Sequence, residues 1–164
     1  MKTALITGSS RGIGEAIAYS LASKSYNIVI NYVSSEEKAK EVQDYIIKTY
    51  NVKAICIKAD VSKEEEVKQM METIYNTFGS IDVVVNNAGI AIDSTFEDKT
   101  VDNFKRILDV NLIGTFLVSK YASLYMKSGS IINISSTDAI DTNYIYGMDY
   151  DASKAGVISL TNNL

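Results

Sequence analysis

Tyr150 and Lys154 are the residues whose types and spacing most directly suggest chemistry. They stand four positions apart in Tyr-Asp-Ala-Ser-Lys, among Ala152, Ala155, Val157, Ile158 and Leu160 in a helical pattern. On a helix this spacing puts both side chains on one face, one turn apart. A free tyrosine titrates at about 10, too high to exchange protons near neutrality. An ammonium one turn away favours the phenolate and lowers that value, which makes a tuned acid/base. There is no histidine, so acid/base work falls to Tyr, Lys, Cys or carboxylates. Such pairs are also common on ordinary helix surfaces, so the weight comes from the rest of the chain.

The elements that must hold this pair alternate between strand and helix. Residues 2–7 are a short apolar run, followed by Gly8-Ser-Ser-Arg-Gly12-Ile-Gly14 and then a helical pattern over 15–22. Strand, glycine-rich turn and helix in that order present backbone N–H groups and a helix N-terminus to a pyrophosphate. Gly8 allows the tight turn, Gly12 allows phosphates to approach the backbone, and Gly14 allows the helix to pack on the strand. The alternative is a plain glycine-rich βα loop. Residues 27–32 form the second strand, and Ser34 to Glu37 reads as a capping box opening a helix to residue 50. At the second strand's end, where an NAD enzyme carries an acidic residue for the ribose hydroxyls, the chain has Asn31, Tyr32, Val33 and Ser34. With no carboxylate there to repel a 2′-phosphate, and Arg11 placed to pair with one, the pattern favours NADP(H) over NAD(H). The alternative for Arg11 is a side chain pointing to solvent.

Residues 53–58 are the third strand, leading to Ala59-Asp60-Val61. Ser62 to Glu65 reads as a second capping box, opening a helix with Val67, Met71, Ile74 and Phe78 on its buried stripe and Gly79 as its stop. The fourth strand, 82–86, is fully apolar, as in a parallel sheet covered on both faces, and ends in Asn86-Asn87-Ala88-Gly89. Residues 93–98 read as a loop, and Thr100 as the cap of one long helix reaching residue 126 with Asn111 inside it. The fifth strand, 130–135, ends at Ser135-Ser136, and 138–149 is a loop rich in Asp, Asn and Tyr before the Tyr150 helix. The expected fold is α/β: a doubly wound, three-layer, Rossmann-like parallel sheet in one domain over 1–164. The last helical pattern, 152–164, has no C-cap signal and no following strand, so the fold is expected to be incomplete, with the polypeptide either continuing past Leu164 or being a fragment.

Composition narrows the classes. Hydrophobic residues make up 46% and charged residues 22%, which is ordinary for a soluble globular protein. A net charge of −4 without charge blocks gives no electrostatic case for nucleic acid. The single cysteine, Cys56, lies in an apolar run and is expected as a buried core thiol. With one cysteine and no histidine, no metal site is expected. No membrane span and no signal peptide are read, so a cytoplasmic protein is expected.

Thr7-Gly8-x-x-x-Gly12-Ile13-Gly14, Asn86-Asn-Ala-Gly89, Asn111, Ile131-Ile-Asn-Ile-Ser-Ser136 and Tyr150-x-x-x-Lys154 together resemble the short-chain dehydrogenase/reductase family. Within it the chain looks most like reductases of 3-oxoacyl groups on acyl carrier protein. The resemblance implies an NADP(H)-dependent oxidoreductase that reduces a small-molecule or acyl-carrier-bound carbonyl. It implies Tyr150 as general acid, Lys154 tuning it and holding the nicotinamide ribose, and Ser136 bonding the carbonyl, with Ser135 as the alternative. Asn111 would hold a water linking Lys154 to solvent. Gly8, Arg11, Ile13 and Gly14 would line the pyrophosphate and 2′-phosphate side, with Ser10, Gly12, Asn31 and Ser34 also on the cofactor side. Asp60 and Val61 would meet adenine, and Asn87, Ala88 and Gly89 would pack beside the cofactor. Family members continue through two further strands, so the sequence covers about the first two-thirds of the pattern. They are usually tetramers, so a homotetramer or homodimer through the Asn111 and Tyr150 helices is implied. Two departures stand out: a Ser136-to-Tyr150 loop one residue longer than the family's, and a short 126–130 link. A second reading is an NADP-binding protein or inactive fragment of the same fold without turnover.

Overall fold

A computed structural model describes residues 1–142 and 144–164; Asn143, part of the predicted 138–149 loop, lies outside the described residues. Five short strands, β1 (Thr3–Ile6), β2 (Asn27–Tyr32), β3 (Ala54–Lys58), β4 (Val83–Asn86) and β5 (Ser130–Asn133), form one sheet in the order β3-β2-β1-β4-β5. Every pairing is parallel, with Leu5 beside Val29 on one side and Val84 on the other. Parallel strands need crossovers, and the helices α1 (Gly12–Ala22), α2 (Glu36–Tyr50), α3 (Glu64–Phe78), α4 (Val101–Leu108) and α5 (Gly114–Ser123) supply them, while α6 (Met148–Thr161) follows β5.

The strand period of two sorts the core onto two faces. Leu5, Val29 and Val84 pack with Met71, Ile74 and Val118 of α3 and α5. Ala4, Ile6, Ile28 and Ile30 pack with Ala18, Val42 and Ile46 of α1 and α2. After β3 the chain crosses to the other side of β1 to form β4. This leaves a crevice outside the carboxyl ends of β1 and β4, where α/β sheets bind ligands. No helix among the described residues is long and apolar enough to cross a membrane.

Several local expectations are corrected. Neither capping box forms. The α2 N-cap is Ser35 and the α3 N-cap is Lys63, and neither side chain makes a cap bond. At α3 the reason is competition: Asp60 Oδ1 accepts both the Ser62 N–H at 3.0 Å and the Ser62 hydroxyl at 2.7 Å, and Glu65 pairs with Lys68. Thr100 does cap α4, accepting from the Asn103 N–H at 3.1 Å. The long helix predicted from Thr100 ends at Ser123 and is broken by a π-helical turn, Asp109–Ile113, with Asn111 at its centre. The fifth strand stops two residues early, at Asn133, and α6 begins at Met148, inside the predicted loop. Thr137–Ala139 is a short 3-10 turn within that loop. Cys56 is only half-buried, with its thiol on the Ala39 carbonyl and the Gln43 side chain; burial pushes its pKa up to about 11.

Gly129 sets how closely β5 can approach β4. A Cβ there would lie 2.0 Å from the Asp82 carbonyl oxygen, the same oxygen that accepts the Ser130 N–H at 3.1 Å. Gly129→Ala should therefore push β5 off the sheet and cost about 1–3 kcal/mol. Thermal unfolding should show a midpoint lowered by several degrees; an unchanged midpoint would mean the strand seats without that contact.

Candidate active site

The crevice is a cleft of about 580 Å³. Of the predicted cofactor-side residues, Gly8, Ser10, Arg11, Gly12, Ile13, Asn31, Ser34, Asp60, Val61, Asn87, Ala88 and Gly89 line it. Gly14 instead packs behind the glycine loop. A Cβ there would lie 2.6 Å from Asn87 Nδ2 and 2.8 Å from the Gly8 carbonyl, so only glycine lets α1 sit this close. Gly8 has φ +62, a conformation open to glycine, and its own Cβ would press on Ala88 Cα at 3.0 Å.

The loop is held by hydrogen bonds from three strand ends. Asn31 Oδ1 accepts the Gly8 N–H at 3.1 Å, while Asn31 Nδ2 donates to the Ala59 carbonyl at 2.9 Å. Its amide is a brace inside the fold that also borders the cleft. Thr7 Oγ1 accepts from the N–H groups of both Asn87 and Ala88 at 3.0 Å. Asn87 Nδ2 returns to the Thr7 and Gly8 carbonyls at 2.9 and 3.2 Å. The turn after β4 is thereby laced to the turn after β1.

Asp60 is fixed by Ser62 and by Arg106, whose guanidinium stands 3.2 Å from Asp60 Oδ2 and 3.0 Å from Ser62 Oγ. Partial burial raises the Asp60 pKa, but the Ser62 bonds and the Arg106 charge outweigh it and hold the carboxyl below its usual range. Arg106 also lines the cleft, as do Ile90 and Val110, and sequence reasoning missed all three. Arg106 lies 46 residues from Asp60, and no local spacing marks the pair.

Tyr150 and Lys154 lie on α6 as expected, with Lys154 Nζ 5.7 Å from the Tyr150 ring centre. Lys154 is buried, and Nζ donates to the Ile134 carbonyl at 2.8 Å. Burial lowers its pKa, because desolvation disfavours the charged form. Asn111, Tyr150 and Lys154 are not among the residues that line the cleft, but Gly89, which does line it, borders two of them: a Cβ there would be 3.6 Å from Lys154 Nζ and 3.4 Å from Asn111 Oδ1. Asn111 is fully buried. Its Oδ1 accepts the Ile90 N–H at 2.8 Å, and Nδ2 donates to the Ile90 carbonyl and to Ser153 Oγ, both at 3.0 Å. The general expectation that a mid-helix Asn faces solvent fails, because the π turn points this one inward. The two serines part ways after β5. Ser135 Oγ donates to the Lys154 carbonyl at 2.8 Å, so that hydroxyl is spent on α6, whereas Ser136 caps the 3-10 turn and contacts Asp138.

The depressed Lys154 pKa has a thermodynamic consequence. Between the folded pKa and the unfolded value of about 10.4, the unfolded chain binds more protons, so stability rises with pH there. The burial penalty is present at neutral pH and is relieved as pH rises through that window. Denaturant unfolding of wild type and Lys154→Met should show the difference moving in wild type's favour as pH rises; a constant difference would contradict the assignment.

The short chain dehydrogenase family model matches residues 2–164. The 3-oxoacyl-(acyl-carrier-protein) reductase FabG of Staphylococcus aureus is 42% identical over 99% of this chain. Glucose 1-dehydrogenase 2 of Bacillus subtilis is 38% identical, again over 99% of this chain. A crystal structure of a Burkholderia cenocepacia short chain dehydrogenase in complex with NADP superposes with TM-score 0.94 at 35% identity, covering 99% of this chain and 66% of that one. A short-chain dehydrogenase/reductase from Serratia marcescens gives TM-score 0.95 at 32% identity, with the same coverage. The chain spans 66% of the length of the Staphylococcus relative and 64% of the Bacillus one. With the family model matched over residues 2–164, and with the glycine loop and the β4 turn lining one cleft whose Gly89 borders Asn111 and Lys154, the chain belongs to the short-chain dehydrogenase family.

Proposed function

We propose that this chain carries the cofactor cleft and acid/base group of an NADP(H)-dependent oxidoreductase that interconverts a carbonyl and a secondary alcohol. The observation that carries the reading is the meeting of Gly89, Asn111 and Lys154 beside Tyr150, at the inner end of a cleft walled by the glycine loop.

The cleft suits a dinucleotide. Gly12 has φ +62, and a Cβ there would meet nothing within 4 Å, so the α1 N-terminus opens onto free space where phosphate oxygens can reach backbone N–H groups. Gly8, Ser10, Gly12 and Ile13 would hold the pyrophosphate, Arg11 and Ser34 the 2′-phosphate, Asp60 and Val61 the adenine side, and Asn87 to Gly89 the inner half. The bound dinucleotide supplies or takes up the hydride. Tyr150 gives its proton to the carbonyl oxygen in reduction and takes one from the alcohol in oxidation. Ser136, its hydroxyl turned from Asp138 toward the substrate, would donate a hydrogen bond to the same oxygen, in the manner of an oxyanion hole. The Lys154 ammonium, held by the Ile134 carbonyl beside the Tyr150 ring, steadies the ribose. Asn111 holds Ile90 and Ser153 in register, and through them the end of β4 and the Tyr150 turn; beside it we place the water path to Lys154.

The named relatives point the substrate in two directions, a 3-oxoacyl group on acyl carrier protein and a sugar. We favour the 3-oxoacyl thioester, the reaction of the relatives with the higher identity. Exposed Ile113 and Phe116, in the π turn and on α5, support a homodimer or homotetramer through that face.

Tyr150→Phe should lower turnover by about two to four orders of magnitude while leaving the NADPH Kd near wild type, as expected for loss of a general acid. Steady-state rates beside fluorescence titration would show it. Turnover surviving at a sizeable fraction would remove the acid/base role, and wild type that binds NADPH but turns over no carbonyl would favour a binding protein. Arg11→Ala should weaken NADPH by about tenfold or more and NADH hardly at all, given the value of a bond to a charged group; equal weakening of both would place the 2′-phosphate elsewhere.

A further inference from the structure

A second buried cation lies close to Tyr150 and has no part in the chemistry above. Lys99 Nζ stands 2.9 Å from Asp149 Oδ1, with the two side chains only 5% and 0% exposed. The same ammonium donates to the carbonyls of Ile92 at 2.9 Å and Tyr146 at 3.1 Å, so its three protons meet three acceptors on three segments. Asp149 Oδ1 also accepts the Tyr150 N–H at 3.0 Å. Asp149 Oδ2 is buried without a hydrogen-bond partner among the described residues, so this carboxylate depends on Lys99 and on the positive end of α6. Two other bonds join the same loops: Tyr144 donates its hydroxyl to Asp93 Oδ2 at 2.8 Å, and the Ser94 N–H reaches the Tyr146 carbonyl at 3.4 Å.

We infer that Lys99 is a positioning residue for Tyr150. Through Asp149 it fixes the first turn of α6, and through Ile92 and Tyr146 it ties the loops after β4 and after β5 to that turn. One ammonium thereby sets the direction of the Tyr150 side chain and closes the wall beside it. A surface ion pair would add little of this kind, but a buried one acts through geometry, since removing either partner leaves an uncompensated charge. Lys99 is also next to Thr100, the cap of α4, so the same point anchors the start of the helix that leads to Asn111. This inference rests on the proposed role of Tyr150.

Geometry and stability can be separated with neutral replacements. Lys99→Met alone strands the Asp149 carboxylate and should lower the unfolding midpoint. Lys99→Met combined with Asp149→Asn removes both charges and should restore the midpoint to within a few degrees of wild type. In that double variant of the full chain we expect an unchanged NADPH Kd, a kcat lowered by about tenfold or more, and amide exchange of Ser94 and Tyr150 accelerated by a similar factor. A double variant with wild-type kcat, or with wild-type protection at those amides, overturns the inference, as does a Lys99→Met midpoint equal to wild type. The exchange result needs no turnover, so it stands apart from any failure of the Tyr150 assignment itself.

Discussion

A buried amide must satisfy both its acceptor and its donors, and the site takes its shape from how Asn111 does so. Regular α-helical geometry would spread residues 101–123 over an even spiral. The π turn instead swings Asn111 into the protein, where it meets the backbone of Ile90 and the hydroxyl of Ser153. Ser153 in turn donates to the Tyr150 carbonyl at 2.6 Å, and Thr115 donates to the Asn111 carbonyl at 2.8 Å. The end of β4, the centre of the long helix and the second turn of α6 are thereby fixed against one another. Single-turn π bulges of this kind are often found at functional sites, because they re-aim one side chain without ending a helix.

The sheet and its glycine loop were legible because their signals are local. Apolar runs of strand length, glycines at positions 8, 12 and 14, and small residues after β4 each constrain the backbone where they occur. Tyr150 and Lys154 were legible because one helical turn separates them. What escaped was everything decided by distant partners. The Ser62 hydroxyl is as good a cap as any by type, yet Asp60 takes it. Nothing in their own segments marks Arg106 or Lys99. Only the fold brings Arg106 to Asp60, and Lys99 to a carboxylate 50 residues away. Asn111 was conspicuous by type but not by burial, since nothing in its neighbours announces a π turn. The two serines at the end of β5 differ by their contacts, Ser135 with the Lys154 backbone and Ser136 with Asp138, which no loop length encodes.

Charge in the site is arranged by burial more than by number. Lys154 and Lys99 are both enclosed, but by different means. Lys154 faces a carbonyl with no carboxylate bonded to it, and desolvation lowers its pKa. Lys99 is matched to Asp149 and two carbonyls. One ammonium is left electrostatically available to whatever binds beside Tyr150, and the other is consumed in holding the scaffold.

The lacing of Thr7 to Asn87 and Ala88 joins residues 80 and 81 positions apart. The contacts that shape the glycine turn after β1 thus lie among the most non-local in the sheet, and their closure entropy must be met before they return any stability. During synthesis the glycine loop emerges early but lacks its β4 buttress until two more strands and three helices have been made. The glycine loop therefore takes its final braced shape only once the chain has closed across β1.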